Sequence, residues 1–83
     1  MKISVDISYY PLNEAYKKPI KAFIADVKSN DKLEVHTGKM STQVFGEMDE
    51  VMTTLTQCMK RAFELPHSVF VLKIINAELH PAV

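Results

Sequence analysis

The chain has 83 residues, 47% of them hydrophobic, with ten basic against ten acidic side chains and a single cysteine. That composition describes one small domain over residues 1–83, too apolar for disorder and too evenly charged to give a nucleic-acid partner the basic face it needs. One cysteine, Cys58, leaves no internal disulfide and no multi-cysteine metal site, and no apolar run reaches the roughly 18–20 residues that span a bilayer. The first residues, MKISVDIS, alternate and carry an aspartate, unlike a secretory leader, so the expected location is cytoplasmic.

Residues 2–10 alternate without a break. Ile3, Val5, Ile7 and Tyr9 fall on one face, and Lys2, Ser4, Asp6, Ser8 and Tyr10 on the other. This is a period-2 strand with one apolar face, and Pro11 ends it. Ile20, Phe23, Ile24 and Val27 then recur at helical spacing. Pro19 is tolerated only in a first turn, so the helix is expected from about Lys18, with residues 13–17 forming a separate turn. The helix closes at Ser29-Asn30-Asp31.

Residues 32–37 alternate again, and Gly38-Lys39 links them tightly to a second alternating run, residues 40–45, as in an antiparallel hairpin. Gly46 reads as a turn, a structural position. Glu47, Asp49 and Glu50 put negative charge on a helix start, where the macrodipole favours it. Met48, Val51, Met52, Leu55, Met59, Ala62 and Phe63 trace the apolar face of that second helix, with Lys60 and Arg61 near its end and Pro66 after it. Cys58 fits as a small buried hydrophobe on this helix. Residues 69–75, VFVLKII, are apolar on both faces apart from Lys73 and form the last strand. The tail from Asn76 is expected to be loosely held, and His67 and His80 carry no usable signal.

The order βαββαβ, with two right-handed crossovers around a hairpin, defines an α+β ferredoxin-like sandwich. Its antiparallel sheet should run 4-1-3-2 with both helices on one face. The other face then carries Ser4, Asp6, Ser8 and Tyr10. The third strand adds Ser41, Gln43 and Phe45, or alternatively Met40, Thr42 and Val44, depending on register. An uncovered, partly apolar face of this kind usually meets a second subunit or a ligand. A small core makes a homodimer or higher homo-oligomer the expected state.

Several functions that this architecture hosts do not fit. There are no paired cysteines for metal transfer. Tyr10 and Phe45 could stack on RNA bases, but the neutral net charge and the surrounding acids weaken that case. The loop ISYYPLNEAYKK lacks the glycines and arginine of a phosphate cradle, and no nucleophile–base pair is visible, so no enzyme is expected. His36 reads as an exposed strand histidine, since a lone histidine makes no metal site.

Two stretches, ISYYPL at residues 7–12 and MSTQVFGEMDEV at residues 40–51, resemble the YkoF-like proteins and the related small thiamine-binding proteins. Both groups have a strand ending in serine, an apolar or tyrosine position and proline. Both have a later Ser/Thr-rich strand running into glycine, an acidic residue and a helix. The resemblance spans nearly the whole chain. It implies a non-enzymatic binder of thiamine or its hydroxymethylpyrimidine precursor that acts as a homo-oligomer. YkoF-like proteins carry two such domains, so a single-domain chain would recreate the pair by association. Ser8, Tyr10, Ser41 and Thr42 stand at the matching motif positions.

Chemistry adds Gln43, whose amide donates and accepts at once, as an aminopyrimidine requires. It also adds Asp6, on charge alone: Asp6 or Glu34 could neutralise a thiazolium cation, and Tyr10 or Phe45 could stack on it. Each assignment has a plainer counterpart. For Asp6 it is an ion pair with Lys73 across neighbouring strands, for the hydroxyl residues plain strand formation, and for Tyr10 and Gln43 a place in a subunit interface. The contrasting function is an oligomeric regulatory or scaffold domain whose open sheet is only that interface.

Overall fold

A computed structural model of the chain describes residues 1–79; His80 and the rest of the tail lie outside the described residues. The elements are β1 (Lys2–Pro11), α1 (Lys17–Lys28), β2 (Glu34–Thr37), β3 (Thr42–Glu47), α2 (Met48–Ala62) and β4 (Ser68–Ile75). The strands form one antiparallel sheet in the order β2-β3-β1-β4, the expected order read from the other edge. The fold is therefore the α+β ferredoxin-like sandwich.

The alternation in β1 does what its sequence dictates. Ile3, Val5, Ile7 and Tyr9 are buried against the helix layer, where they meet Phe23 and Val27 of α1 and Val51, Leu55 and Cys58 of α2. An aromatic group seals one end of this core: the Tyr9 and Phe70 rings stack at 4.3 Å, and Phe23 and Phe63 pack onto Phe70 at 5.0 and 5.4 Å. The Tyr9 hydroxyl donates to Ser68 Oγ at 3.0 Å, and Ser68 passes its own proton to the Leu65 carbonyl at 2.8 Å. A buried phenol is thereby satisfied.

Before α1, Asn13 Oδ1 accepts from the Ala15 N–H at 2.8 Å, a local turn that keeps these residues out of the helix. Pro19 then falls in the first turn of α1, where its missing N–H costs nothing. After α1, the Asn30 amide donates to Glu50 Oε2 and Thr54 Oγ1 of α2 at 2.7 and 2.8 Å, pinning the turn to the second helix.

The helices are joined at the other end by Arg61, which grips the Asp26 carboxylate through Nε at 2.6 Å and Nη2 at 2.9 Å. The Arg61 hydrogen bond holds the Asp26 carboxyl below its ordinary value of 3.8. A depressed folded-state pKa contributes stability that is present above the unfolded value and lost as pH falls through the folded one. Asp26→Asn should therefore destabilise the protein at neutral pH, with the difference from the parent shrinking below about pH 3.8. Urea unfolding at both pH values measures it.

Three local features differ from the sequence reading. Helix α2 ends at Ala62, short of Phe63 and well before Pro66, because the Glu64 and Leu65 N–H groups bond back three residues, to the Arg61 and Ala62 carbonyls, and tighten the chain into a turn. Gly46 is not a turn residue. It lies inside β3, opposite Ile3, with an ordinary negative φ. It is needed for space: a Cβ there would sit 2.9 Å from a Leu33 methyl and 3.3 Å from a Val51 methyl. Gly46→Ala should cost about 1–3 kcal/mol through overpacking, read as a lower urea midpoint with unchanged m. No loss of stability would mean that Leu33 moves aside freely.

The third difference is the start of the tail. Ser4 Oγ donates to the Ala77 carbonyl at 2.6 Å and accepts from the Leu79 N–H at 2.9 Å. Residues 77–79 are thus clipped to β1, and Ser4, on the face away from the helices, is only 6% exposed.

Candidate functional site

Register decides which side chains share the open face. Ser4 pairs with Phe45, Asp6 with Gln43, and on the other side Ser4 with Ile75, Asp6 with Lys73 and Ser8 with Val71. Glu34 and His36 of β2 continue the first two rows. The open face therefore carries Ser41, Gln43 and Phe45, and the alternative set containing Thr42 and Val44 turns toward the helices. Of the six residues singled out from sequence, Asp6, Ser8, Tyr10, Ser41 and Gln43 share the open side. Thr42 points the other way and is 8% exposed.

Orientation does not separate them completely, because the sheet ends here. A cleft of about 440 Å³ opens where β1 runs out, between the 38–42 hairpin and the start of α1. Ser8, Tyr10, Ser41 and Thr42 all line it, with Ile20 and Ile24 of α1 as its apolar wall and Tyr16 beside them. Both sequence motifs thus contribute to one concavity, of the size and mixed character usual for small ligands. Asp6 and Gln43 line a different hollow, of about 320 Å³, on the sheet face under the clipped tail, with Phe45, Lys73, Ile75 and Leu79.

Ser41 links the two hollows. Its hydroxyl donates to Asp6 Oδ1 at 2.5 Å. With its proton committed to the carboxylate, Ser41 Oγ presents lone pairs to the cleft and acts as an acceptor. The Ser8 and Thr42 hydroxyls have no side-chain partner among the described residues and remain able to donate or accept. Asp6 and Lys73 are register partners, yet no ion pair joins them among the described residues; the carboxylate's bond is to Ser41. His36 is occupied on its own edge strand, with Nε2 2.7 Å from Glu34 Oε2 and its ring edge-on to Phe45 at 5.6 Å.

Sequence reasoning missed Tyr16 and Ile20 as cleft residues. The signal was present, since Tyr16, Ile20 and Ile24 stand four apart and so share one helical stripe. A larger concavity lies elsewhere, a groove of about 740 Å³ between α1 and α2 lined by Pro19, Ala22, Phe23, Cys58 and Leu65. Its charged pair, Asp26 and Arg61, is self-satisfied. Burial pushes the Cys58 thiol up to about 11, which makes it a poor nucleophile at neutral pH. No group of three or more His, Cys, Asp or Glu side chains suited to a metal occurs among the described residues, and no described helix is long and apolar enough to cross a membrane.

No protein-family model and no curated protein sequence matches the chain. Solved structures do. A hypothetical protein from Methanocaldococcus jannascii is 26% identical with a TM-score of 0.81, over 93% of this chain and 81% of that one. A Streptococcus pneumoniae protein is 23% identical with a TM-score of 0.87, over 95% and 90%. A Thermotoga maritima protein named for a proposed role in thiamine biosynthesis or salvage is 21% identical with a TM-score of 0.86, over 98% and 91%. What these likenesses carry is the fold, over nearly the full length of the described chain.

Proposed function

We propose that this protein is a YkoF-like, non-enzymatic binder of thiamine or of its hydroxymethylpyrimidine moiety, serving vitamin B1 uptake or salvage in the cytoplasm as a homo-oligomer. The observation that carries the reading is the convergence of residues from the two sequence motifs on one cleft. The Thermotoga neighbour's name adds support of a more distant kind.

The chemistry of the cleft suits an aminopyrimidine. Ser41 Oγ, oriented by Asp6, accepts from the exocyclic amine, while Ser8 and Thr42 donate to ring nitrogens. Tyr10 and Tyr16 offer ring faces beside the apolar wall. For whole thiamine, the Asp6 carboxylate provides the nearby negative charge that a thiazolium needs.

Thr42→Val keeps the shape of a nearly buried side chain and removes only its hydroxyl. It should weaken ligand binding by about 3- to 10-fold, the worth of one ordinary hydrogen bond, with the mass in solution unchanged. Titration calorimetry beside sedimentation measures both, and an unaltered affinity would remove Thr42 from the site. A second reading, that the open sheet is purely a subunit interface, is favoured by its half-exposed column of Tyr10, Val69, Val71 and Ile75.

A further inference from the structure

We infer that the end cleft takes its ligand as a phosphate monoester, with Lys39 as the residue that selects the phosphate. The inference rests on the pyrimidine reading above and narrows it. The preferred ligand is phosphorylated hydroxymethylpyrimidine, ahead of the free alcohol.

The charge of the cleft carries the inference. Among the described residues, Lys39 is the only charged side chain that lines it, and every other lining residue is neutral. Asp6 lines the other hollow, and its Oδ1 is bonded to the Ser41 hydroxyl. Glu14, in the turn before α1, does not line the cleft either. Lys39 is exposed and joins no ion pair among the described residues. The Gly38 N–H donates to the Ser41 carbonyl at 2.9 Å, closing the loop that carries Lys39 beside the Ser41 hydroxyl group's own residue. A concavity with one free cation and no counter-charge attracts an anion and gives a neutral ligand no such gain.

Helix α1 adds a field of the same sign. Its N-cap, Tyr16, lines the cleft together with Ile20, so the positive end of the helix dipole lies at this wall. The first turn has no acidic residue and no side-chain cap, and it begins Lys17-Lys18. Inside the cleft Thr42 is 8% exposed, and its hydroxyl has no side-chain partner among the described residues. A polar ligand atom would complete it.

The ligand's own groups divide in the same way. The Ser8, Ser41 and Thr42 hydroxyls are matched to its amine and ring nitrogens, which leaves the carbinol oxygen as the position that none of them addresses. Esterified there, the ligand carries a charge of about −1.5 to −2 at neutral pH, and a lysine ammonium is a suitable point charge for it.

Titration calorimetry with hydroxymethylpyrimidine and with its phosphate ester tests this, on the parent protein, Lys39→Ala and Lys39→Glu. Position 39 is exposed and has no positive φ, so both variants should keep the parent's circular dichroism. The parent should bind the ester about 10-fold tighter than the alcohol, the worth of one charged contact. That preference should shrink as salt is raised. Lys39→Ala should leave the alcohol's affinity unchanged and remove the preference; Lys39→Glu should reverse it. Equal affinities in the parent, or a preference that survives Lys39→Ala, overturn the role of Lys39 while alcohol binding keeps the pyrimidine cleft standing. Binding of neither compound overturns both.

Discussion

Leu55→Ala should remove about 3 kcal/mol of stability, within the range for deleting a fully buried leucine side chain and leaving its cavity. Leu55 lies in the middle of α2 with none of its surface exposed, in the same buried cluster as Val5, Val44, Val27 and Val51. The site cannot collapse easily, because β-branched residues of the strands, held by the sheet ladder, form one wall. A chain of this length has roughly 4–12 kcal/mol in total, so the loss is a large share of it. Chemical unfolding followed by circular dichroism should show the midpoint falling with the slope unchanged. A cost below about 1 kcal/mol would mean that α2 does not pack as described.

Val71→Asp is the second large effect. The side chain stands on the open face opposite Ser8, half exposed and flanked along its strand by Val69 and Lys73. A carboxylate there would have to lose its hydration if another subunit covered this face, at a cost of several kcal/mol unless paired. Face-to-face association should therefore be abolished. Sedimentation should show the mass in solution falling. An unchanged mass would place the open face outside any interface, and added thiamine restoring the original mass would make the ligand part of the contact.

The alternation of β1 is physical information in full: each apolar side chain from Ile3 to Tyr9 is buried where its parity puts it. The strand order followed from element order and crossover handedness alone. The facing of β3 did not, because Met40 to Phe45 offers a plausible apolar or polar residue at either parity, and only pairing with β1 selects Ser41, Gln43 and Phe45 for the open side. The role of Gly46 was hidden for a related reason. Its need is the distance to Leu33 and Val51, residues remote in sequence. The clip between Ser4 and residues 77–79 spans more than seventy positions and has no local signature. Within the site, the motif residues were legible as types, while their division between an end cleft and a tail-covered hollow became visible only with the tertiary structure.

The central claim is that the end cleft holds an aminopyrimidine, and the most direct test is calorimetric titration of the purified protein with thiamine and then with hydroxymethylpyrimidine, alongside its mass in solution. The account predicts saturable binding at micromolar concentrations or tighter, about −8 kcal/mol, weakened by Thr42→Val. No heat with either compound, from a folded and associated protein, would contradict it and leave the open sheet as a subunit interface alone.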